Sequence, residues 1–518
     1  MRRWIVAVTT MMATFLCILD VTIANVALDH MRGTLSAGVD EITWVLTSFL
    51  VANAISLPIT GWLTDVLGRK RLFILSTVLF TLTSAAAGAA PSLAVIVAAR
   101  FVQGLAGGPL VPLSQATMME TFPPHRRGMA MAVWGIGIMF APIVGPTLGG
   151  WITDNWSWRW IFYLNVPFGV LAVVLAWLVV PEPAAERPEV RRVDVPGLVL
   201  LVVGVGALQF VLDRGQREDW FASPLITWLT VVAGLALALL VARELRAPHP
   251  VVDLRVLRHG TFAVATAAMF VISTAFYGIM VLSPLFTQIL MGYTALLAGL
   301  VLAPGGVATL VTMPIAGALM NRIDPRWIIC AGCGLNALAM AMMAMLTLEA
   351  SYWQIMTPRF IQGLGIGFTF VPLSTVALSA VPMRDLGHAS GLFNFIRTIG
   401  GGVGIAGVAT LLERGAQIHQ ARLVGHVSLY DPDVWVRYHD LVAMFAARGA
   451  DPATAEQQAW AYLYEVVQRQ ALFLSFVDDF WRLAWIFAAV VPFVLFLGRR
   501  PRPAGGRREA EAAAVVEG

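Results

Sequence analysis

The sequence has 518 residues, of which 58% are hydrophobic and 13% are charged, and its mean hydropathy is +0.76. A soluble protein carries about 25% charged residues, so these figures exclude a water-soluble protein and a disordered chain. The net charge of +4 rests almost entirely on arginine, and we attribute it to membrane orientation, not to nucleic-acid binding. The three cysteines all lie in apolar runs, which excludes a disulfide scaffold.

Long apolar runs define the predicted elements. A membrane-spanning helix needs about 20 predominantly apolar residues. In chain order, runs of this kind predict fourteen spans near 5–28, 42–64, 72–90, 94–117, 129–152, 160–180, 196–212, 223–242, 261–285, 295–319, 327–347, 355–378, 389–412 and 482–498. A membrane β-strand would alternate over about ten residues, which these runs do not. The sequence therefore predicts an all-α membrane protein with fourteen transmembrane helices.

The basic residues orient these spans. With the N-terminus inside, the inside segments hold 22 of the 35 lysines and arginines, and the short outside loops hold four. Cytoplasmic loops carry such an excess, so both termini are expected in the cytoplasm. The first span follows Arg2-Arg3 as a signal peptide would, but it is too long and contains Asp20 and Asn25, so we expect an uncleaved helix.

One outside segment, 413–480, is long and polar, and it contains Asp-Pro steps ahead of an amphipathic stretch. Two interpretations are open. It is a solvated extracytoplasmic loop with one or two helices, or it is a docking surface for a partner, because loops of this length usually have a function.

An internal repeat divides the chain. The segment RFVQGL at 100–105 recurs as RFIQGL at 359–364, and each is followed by VPLS at nearly the same offset. Two six-helix halves in parallel repeat are the plan of transporters that rock about a central site. The predicted domains are an N-terminal six-helix bundle (1–193), two inserted helices with flanking linkers (194–250), the C-terminal bundle helices (251–412), the extracytoplasmic loop (413–480), and the last helix with a cytoplasmic tail (481–518).

Several motifs resemble those of one family, the fourteen-span drug–proton antiporters of the major facilitator superfamily. They are LDVTIANVAL at 19–28, GWLTDVLGRKR at 61–71, GPTLGG at 145–150 and WRWIFYLNVP at 158–167. The resemblance covers nearly the whole chain and implies that superfamily's fold, two six-helix bundles with two extra central helices. Within the family, LDRG at 212–215, DWF at 219–221 and NFIRT at 394–398 resemble EmrB-type pumps of Gram-negative inner membranes.

The resemblance also implies partners. EmrB-type pumps export hydrophobic or amphipathic small molecules in exchange for protons. They work with a periplasmic membrane-fusion adaptor (EmrA-like) and an outer-membrane channel (TolC-like). This favours a docking role for 413–480.

Asp20 is the acid that the sequence places well inside a span, about eight residues or 12 Å from its outer end. A charged aspartate at a helix centre costs about 2.5–3.5 kcal/mol to insert, so it must face a cavity or a partner. Our hypothesis is that Asp20 is the proton-coupling acid and that Arg100 of the fourth span is its counter-charge. The alternative is a static structural ion pair.

Other polar residues inside the spans are candidates for the substrate cavity. Arg397 lies about eight residues into its span without a local acid. It pairs either with Asp20 or a substrate carboxylate in one conformation, or with backbone carbonyls as a packing residue. Asn25, Gln103 and Asn394 complete the predicted cavity set.

Asp65 lies at a cytoplasmic helix end among three cations. The family resemblance implies that it forms a conformational latch with a neighbouring arginine and the positive end of a helix in the other half. The predicted latch residues are Gly61, Asp65, Gly68 and Arg69. A topology anchor would explain the cations but not the acid.

The antiporter motif of the fifth span contains Gly145, Pro146, Gly149 and Gly150. These residues let a helix bend and approach its neighbour closely. The resemblance implies that the motif seals the protein against leak, and simple close packing is contained in that interpretation.

No phosphate loop, nucleophile elbow or metal-spaced cluster occurs in the sequence. We therefore expect no metal ion, no ATP site and no enzyme activity, with the proton motive force as the energy source. The sequence predicts a proton-coupled multidrug efflux antiporter of the inner membrane that works by alternating access. Two alternatives stay open: an exporter of one metabolite or fatty acid on the same scaffold, and a non-transporting membrane receptor.

Overall fold

A computed structural model describes residues 2–180, 194–248, 250–428 and 430–496. All regular secondary structure in these ranges is helical, which confirms the predicted all-α class. Arg187, Arg191 and Arg192 of the predicted inside linker lie outside the described residues, as does the predicted cytoplasmic tail after residue 496.

The N-terminal half contains six membrane spans, of which two are interrupted. Its helices are α1 (Arg2–Val26), α2 (Leu28–Leu35), α3 (Val39–Ile42), α4 (Trp44–Leu67), α5 (Arg69–Gly88), α6 (Leu93–Gly107), α7 (Leu110–Thr121), α8 (Arg127–Asn155), α9 (Arg159–Tyr163) and α10 (Asn165–Val179). The fourth predicted span divides into α6 and α7 at Gly108-Pro109, because proline cannot donate the helical hydrogen bond. In this half α1 packs against α8 and α10, and α4 packs against α6.

The C-terminal half repeats this plan and adds a projection. Its helices are α13 (Gly260–Leu285, continued by a π-turn over Phe286–Leu290), α14 (Ala295–Leu319), α15 (Pro325–Ala344), α16 (Tyr352–Ser379), α17 (Leu386–Val424), α18 (Pro432–Ala447) and α19 (Pro452–Leu495). Between the halves lie the inserted helices α11 (Val195–Arg214) and α12 (Pro224–Glu244), which pack against each other.

Among the described residues, thirteen helices are long and apolar enough to cross a membrane, and they match the first thirteen predicted spans. Of the fourteenth prediction, 482–498, residues 482–495 form the C-terminal part of α19, and 497–498 lie outside the described residues. Asp478, Asp479 and Arg482 interrupt the apolar run of α19 there. This part of α19 packs against α13, α15 and α17, as a bundle helix does.

Two helices extend far beyond the length of a span. α17 has 39 residues and α19 has 44, whereas about 20 cross the hydrocarbon core. Both continue into the predicted loop 413–480, so its limits fall inside continuous helices. α18 and α19 begin at Asp-Pro steps whose aspartates, Asp431 and Asp451, accept backbone hydrogen bonds as N-caps. We call the helical projection formed by residues 413–428 and 430–480 the stalk.

The two halves meet closely at the end of the bundle that carries Arg69, Arg127 and Arg384, which we call the basic end; the opposite end is the stalk end. A methyl group on Gly317 of α14 would lie 2.6 Å from the carbonyl oxygen of Gly128 of α8, so backbone packs on backbone there. Deeper in the molecule, Trp134 of α8 stacks on Phe370 of α16 with 6.3 Å between ring centroids. The basic end is therefore closed.

The inserted pair contacts both halves towards the stalk end. On the N-terminal side, Thr47 of α4 donates to the Asp213 carboxylate at 2.6 Å, and Arg214 donates to the Thr43 hydroxyl at 2.7 Å. On the C-terminal side, the Trp220 indole donates to the Thr410 hydroxyl of α17 at 2.9 Å. α11 thus lies beside both α4 and α17.

Candidate functional site

The site begins with a close approach of α4 and α6. A methyl group on Gly104 would clash with the Phe49 carbonyl oxygen and lie 2.9 Å from Ala52 Cβ, so the glycine is what allows the two helices to touch. The contact places Arg100, one turn before Gly104, under α4. There the guanidinium lies 4.3 Å from the Phe49 ring centroid, and its Nε donates to the Val45 carbonyl at 3.1 Å.

Arg100 and Asp20 form a buried ion pair. The Arg100 Nη1 donates to Asp20 Oδ2, and the two side chains are 0% and 1% exposed. α1 ends at Val26, two residues earlier than predicted, so Asp20 lies about 9 Å from that end. Leaving either charge alone in such a place costs about 3–5 kcal/mol. The predicted partners are brought together, and their role in proton coupling stays a prediction.

Two amides complete the carboxylate's surroundings. Gln103 Nε2 and Asn165 Nδ2 donate to Asp20 Oδ1 at 3.1 and 2.7 Å. Gln103 also accepts from Arg100 at 2.8 Å. Gln103, predicted to line the substrate cavity, therefore belongs to the Asp20 cluster in this conformation. Asn165 was missed by the sequence analysis, although a lone amide in the apolar stretch of the 158–167 motif was a usable signal.

The repeat places a second arginine in the C-terminal half. Arg359 Nη1 donates to the side-chain amide oxygen Oε1 of Gln362, on the same helix, and to the Ser283 hydroxyl of α13 at 2.9 Å. Within the described residues Arg359 forms no ion pair. The Arg–Gln pair is thus present in both halves, and only the N-terminal copy has an aspartate beside it.

The remaining candidates for the substrate cavity lie in different parts of the structure. Arg397 is 9% exposed, lies 5.6 Å from the Phe370 ring centroid, and makes no ion pair within the described residues. Asn394 joins the halves, since its Nδ2 donates to Gln115 Oε1 of α7. Asn25 is exposed in the last turn of α1. The structure therefore does not gather these three side chains around Asp20, and their roles stay predictions.

The predicted latch residues lie where the halves meet. Asp65 Oδ2 is 3.1 Å from His388 Nε2 in the first turn of α17, in the other half. A methyl group on Gly61 would lie 2.7 Å from the His388 Cα, so glycine is required at that crossing. Arg69 forms an ion pair with Glu120 of α7, and Gly68 turns the chain with φ of +77°. His388 was missed because no spacing pattern marks it.

The antiporter motif packs α8 on α1 beside Asp20. A methyl group on Gly145 would lie 2.8 Å from Thr22 Cβ, and one on Gly149 would lie 3.2 Å from Ile23 Cγ1. Gly150 leaves 3.9 Å to Val26, and Pro146 is exposed. Close packing is therefore present at Gly145 and Gly149, while a role in sealing stays a prediction.

Two further acids are as buried as Asp20. Glu244 at the end of α12 and Asp479 in α19 are each 1% exposed. Neither was predicted from sequence, since Glu244 follows the predicted span 223–242 and Asp479 precedes the last predicted span. Asp479 accepts from Arg482 at 2.6 Å. Asp194, which precedes α11, accepts hydrogen bonds from Arg243, and these lower the pKa of its carboxyl.

Among the described residues, no three histidine, cysteine or acidic side chains come together as a metal site. That the protein uses no metal ion and no ATP stays a prediction.

Comparison with known proteins decides the family. The model of the Major Facilitator Superfamily matches residues 10–405, which is most of the chain. The chain belongs to the major facilitator superfamily. Two solved superfamily structures share its fold over almost the whole chain: the proton:xylose symporter XylE (TM-score 0.60, 14% identity, 96% of each chain) and the human organic anion transporter MFSD10 (TM-score 0.57, 15% identity, 94% of this chain and 99% of that one).

Within the superfamily the chain is related to multidrug exporters. It is 38% identical to the multidrug export protein EmrB of Escherichia coli K12, covering 97% of this chain and 96% of that protein. It is also 38% identical to EmrB of Haemophilus influenzae (94% of each) and 35% identical to the fatty acid resistance protein FarB of Neisseria gonorrhoeae (96% of each). The predicted EmrB-type membership is confirmed.

Proposed function

We propose that the protein is a proton-driven exporter of hydrophobic or amphipathic compounds that works by alternating access in the inner membrane. The observation that carries the proposal is the buried Asp20–Arg100 pair, an ionisable group in the core of a transporter half. The protein's relatives that are named multidrug export proteins support the proposed substrate class.

The direction of access follows from the closed end. We infer from the arginine bias that the basic end, and with it both termini, faces the cytoplasm. Since α8 meets α14 and α4 meets α17 there, this conformation is closed to the cytoplasm. Export then requires the basic end to open for loading while the stalk end closes.

The proton step acts on the ion pair. When Asp20 takes a proton, Arg100 loses its charge partner but keeps Gln103 and the Val45 carbonyl. Arg359 shows that an Arg–Gln pair is held without a carboxylate. Neutralising Asp20 therefore weakens the link between α1 and α6, and Arg100 keeps neutral hydrogen-bond partners in place of its charge partner. Each proton that moves inward supplies about 2.3 kcal/mol per 100 mV, so no nucleotide is needed.

Transport in proteoliposomes tests the proposal. An imposed pH gradient should drive accumulation of an amphipathic dye, and Asp20→Asn should lower that rate at least tenfold. Asp194→Asn is the matched control, because Asp194 is also paired with an arginine but lies outside the bundle core. Undiminished gradient-driven uptake by Asp20→Asn would remove the mechanism. The receptor alternative predicts no gradient-driven uptake by the wild type.

We further propose that the stalk docks a periplasmic membrane-fusion adaptor, which connects to an outer-membrane channel. Large side chains project from it, among them Trp435, which is 49% exposed, and Tyr464, which is 57% exposed. Aromatic residues are enriched at protein interfaces. Photo-crosslinkers at these two positions should capture a co-expressed adaptor, with Trp228 of α12 as an exposed control. Equal capture from all three would count against docking by the stalk.

A second candidate is an exporter of carboxylate amphipaths such as fatty acids. Arg397 favours it, because this buried cation has no acidic partner among the described residues, and FarB is named for fatty acid resistance. Arg397→Gln should then raise the KM for a fatty acid at least tenfold. The KM for a cationic dye should stay within twofold of the wild-type value. Arg322→Gln, which changes an exposed arginine of the same half, should change neither.

A further inference from the structure

Asn165 joins three helices through one amide group. It is the first residue of α10 and is 1% exposed. Its Nδ2 lies 2.7 Å from Asp20 Oδ1 of α1 and 3.0 Å from the Ser84 hydroxyl of α5. One side chain therefore links the carboxylate of Asp20 to both α5 and α10.

The direction of these hydrogen bonds follows from donor accounting. The Ser84 hydroxyl donates its one hydrogen to the Phe162 carbonyl at 2.9 Å, so it can only accept from Asn165. The ionised carboxylate of Asp20 is likewise an acceptor. The amide must therefore present its NH₂ group, with one hydrogen for each partner, and it cannot turn its oxygen towards Asp20 while Ser84 keeps this bond.

The three side chains that bond Asp20 come from two helices, α6 and α10. Arg100 and Gln103 are one turn apart on α6 and bond each other, so α6 holds the carboxylate as one unit. Asn165 is the donor from a different helix. All three are donors, and donors favour the ionised form of an acid.

We propose that Asn165 is a positioning residue that sets the pH at which Asp20 exchanges its proton. The inference rests on the proposed function, in which Asp20 is the coupling acid. The N–H of Asn165 stabilises the carboxylate more than the carboxylic acid, since a charged acceptor makes the stronger hydrogen bond. Removing it makes Asp20 harder to ionise.

The test is the pH dependence of transport in proteoliposomes. Asn165→Leu keeps the branched shape and the number of non-hydrogen atoms but has no donor. It should move the midpoint of the pH profile upward by about one unit, a tenfold change in proton affinity. Asn165→Gln keeps the NH₂ group, so its midpoint should lie close to that of the wild type. Ser84→Ala leaves the bond to Asp20 but frees the amide, so its shift should be smaller and in the same direction.

Asn336→Leu is the matched control. Asn336 is also 1% exposed, but it donates to the Gly332 carbonyl of its own helix in the C-terminal half. It should leave the midpoint unchanged. A purely structural role for Asn165 would instead lower the rate of Asn165→Leu equally at every pH, and that result would overturn the inference.

An infrared titration keeps the inference testable if Asn165→Leu transports poorly. The carbonyl stretch of protonated Asp20, identified by its loss in Asp20→Asn, should titrate at higher pH in Asn165→Leu than in wild type. An unmoved titration contradicts the inference. The proposed function fails separately, when Asp20→Asn still shows gradient-driven transport.

Discussion

The ion pair between Asp20 and Arg100 shows how one residue's burial constrains its neighbours. Neither side chain reaches water in this conformation, and each is neutralised by the other. A buried charge whose partner is removed loses its Coulombic compensation and keeps its desolvation cost. The same pair therefore contributes to folding and, by our proposal, to transport. Stability and transport measurements separate the two contributions.

A double-mutant cycle at this pair tests the energetic claim. Arg100→Gln should lower the free energy of unfolding by about 3–5 kcal/mol, because it leaves the Asp20 carboxylate buried without a cation. The double variant with Asp20→Asn should regain most of that loss, since both charges are then gone. The measurement is thermal unfolding of the detergent-solubilised protein. Additive losses in the two single variants would show that the residues do not interact.

At the scale of helices, the inserted pair is held unequally by the two halves. Its contacts with α4 include the buried Arg214, which is 8% exposed and lies 5.7 Å from the Trp44 ring centroid. Its hydrogen bond with Thr410 of α17 comes from the turn after α11, where Asp219 and Trp220 have positive φ values of 53° and 52°. Residues other than glycine rarely adopt this conformation. The buried polar contacts are therefore with the N-terminal half, and the hydrogen bond to α17 depends on a strained turn.

Disulfide trapping tests this asymmetry in a background without Cys17, Cys330 and Cys333. A crosslink between Thr47→Cys and Asp213→Cys should leave transport within about twofold of the reduced protein, because α11 moves with α4. A crosslink between Thr410→Cys and Trp220→Cys should stop transport until a reductant is added. Equal inhibition by both crosslinks would show that α11 is not carried by one half.

At the scale of the whole molecule, closure depends on small residues. Gly61 and Gly128 place backbone against the other half, and Asp65 meets His388 at the same end. Such contacts weaken steeply with separation, because a gap of about one ångström already forfeits up to about half of the dispersion energy. The basic end is thus suited to two discrete states, as alternating access requires.

Glycine substitution tests this closure. Gly61→Leu should prevent the basic end from closing, because any side chain would overlap the His388 backbone. Gradient-driven export should fall at least tenfold, while thermal stability changes by less than the loss of a buried ion pair. Gly234→Leu is the control, since Gly234 of α12 has open space around its Cα. Normal export by Gly61→Leu would contradict a gate at this crossing.

Spin-label distances test the two-state movement itself. His125→Cys and Arg384→Cys place labels on exposed residues of opposite halves at the basic end, and Trp156→Cys with Trp353→Cys does so at the stalk end. Lowering the pH or adding substrate should lengthen one distance while it shortens the other. Two distances that change in the same direction would rule out rocking of the halves.

Much of the fold follows from local sequence properties. A run of about 20 apolar residues must form a helix in lipid, because its backbone groups have no other hydrogen-bond partners. Thirteen spans were predictable for this reason. The lengths of α17 and α19 could not be predicted in this way. Outside the membrane a polar segment forms a helix through caps and packing, as at Asp451, which bonds Thr454.

The site divides in the same way. Asp20 could be recognised from sequence, because a charge in an apolar run is costly wherever it lies, and the RFVQGL repeat marked Arg100. The sequence does not reveal that Asn165 bonds Asp20 and Ser84, or that His388 meets Asp65. The chain separation between the partners exceeds 60 residues in each case. The sequence by itself determined thirteen membrane spans and the family, because these depend on local hydrophobicity and motifs. The tertiary structure alone decided which side chains share a hydrogen bond and which end of the molecule is closed, because both depend on how the helices pack.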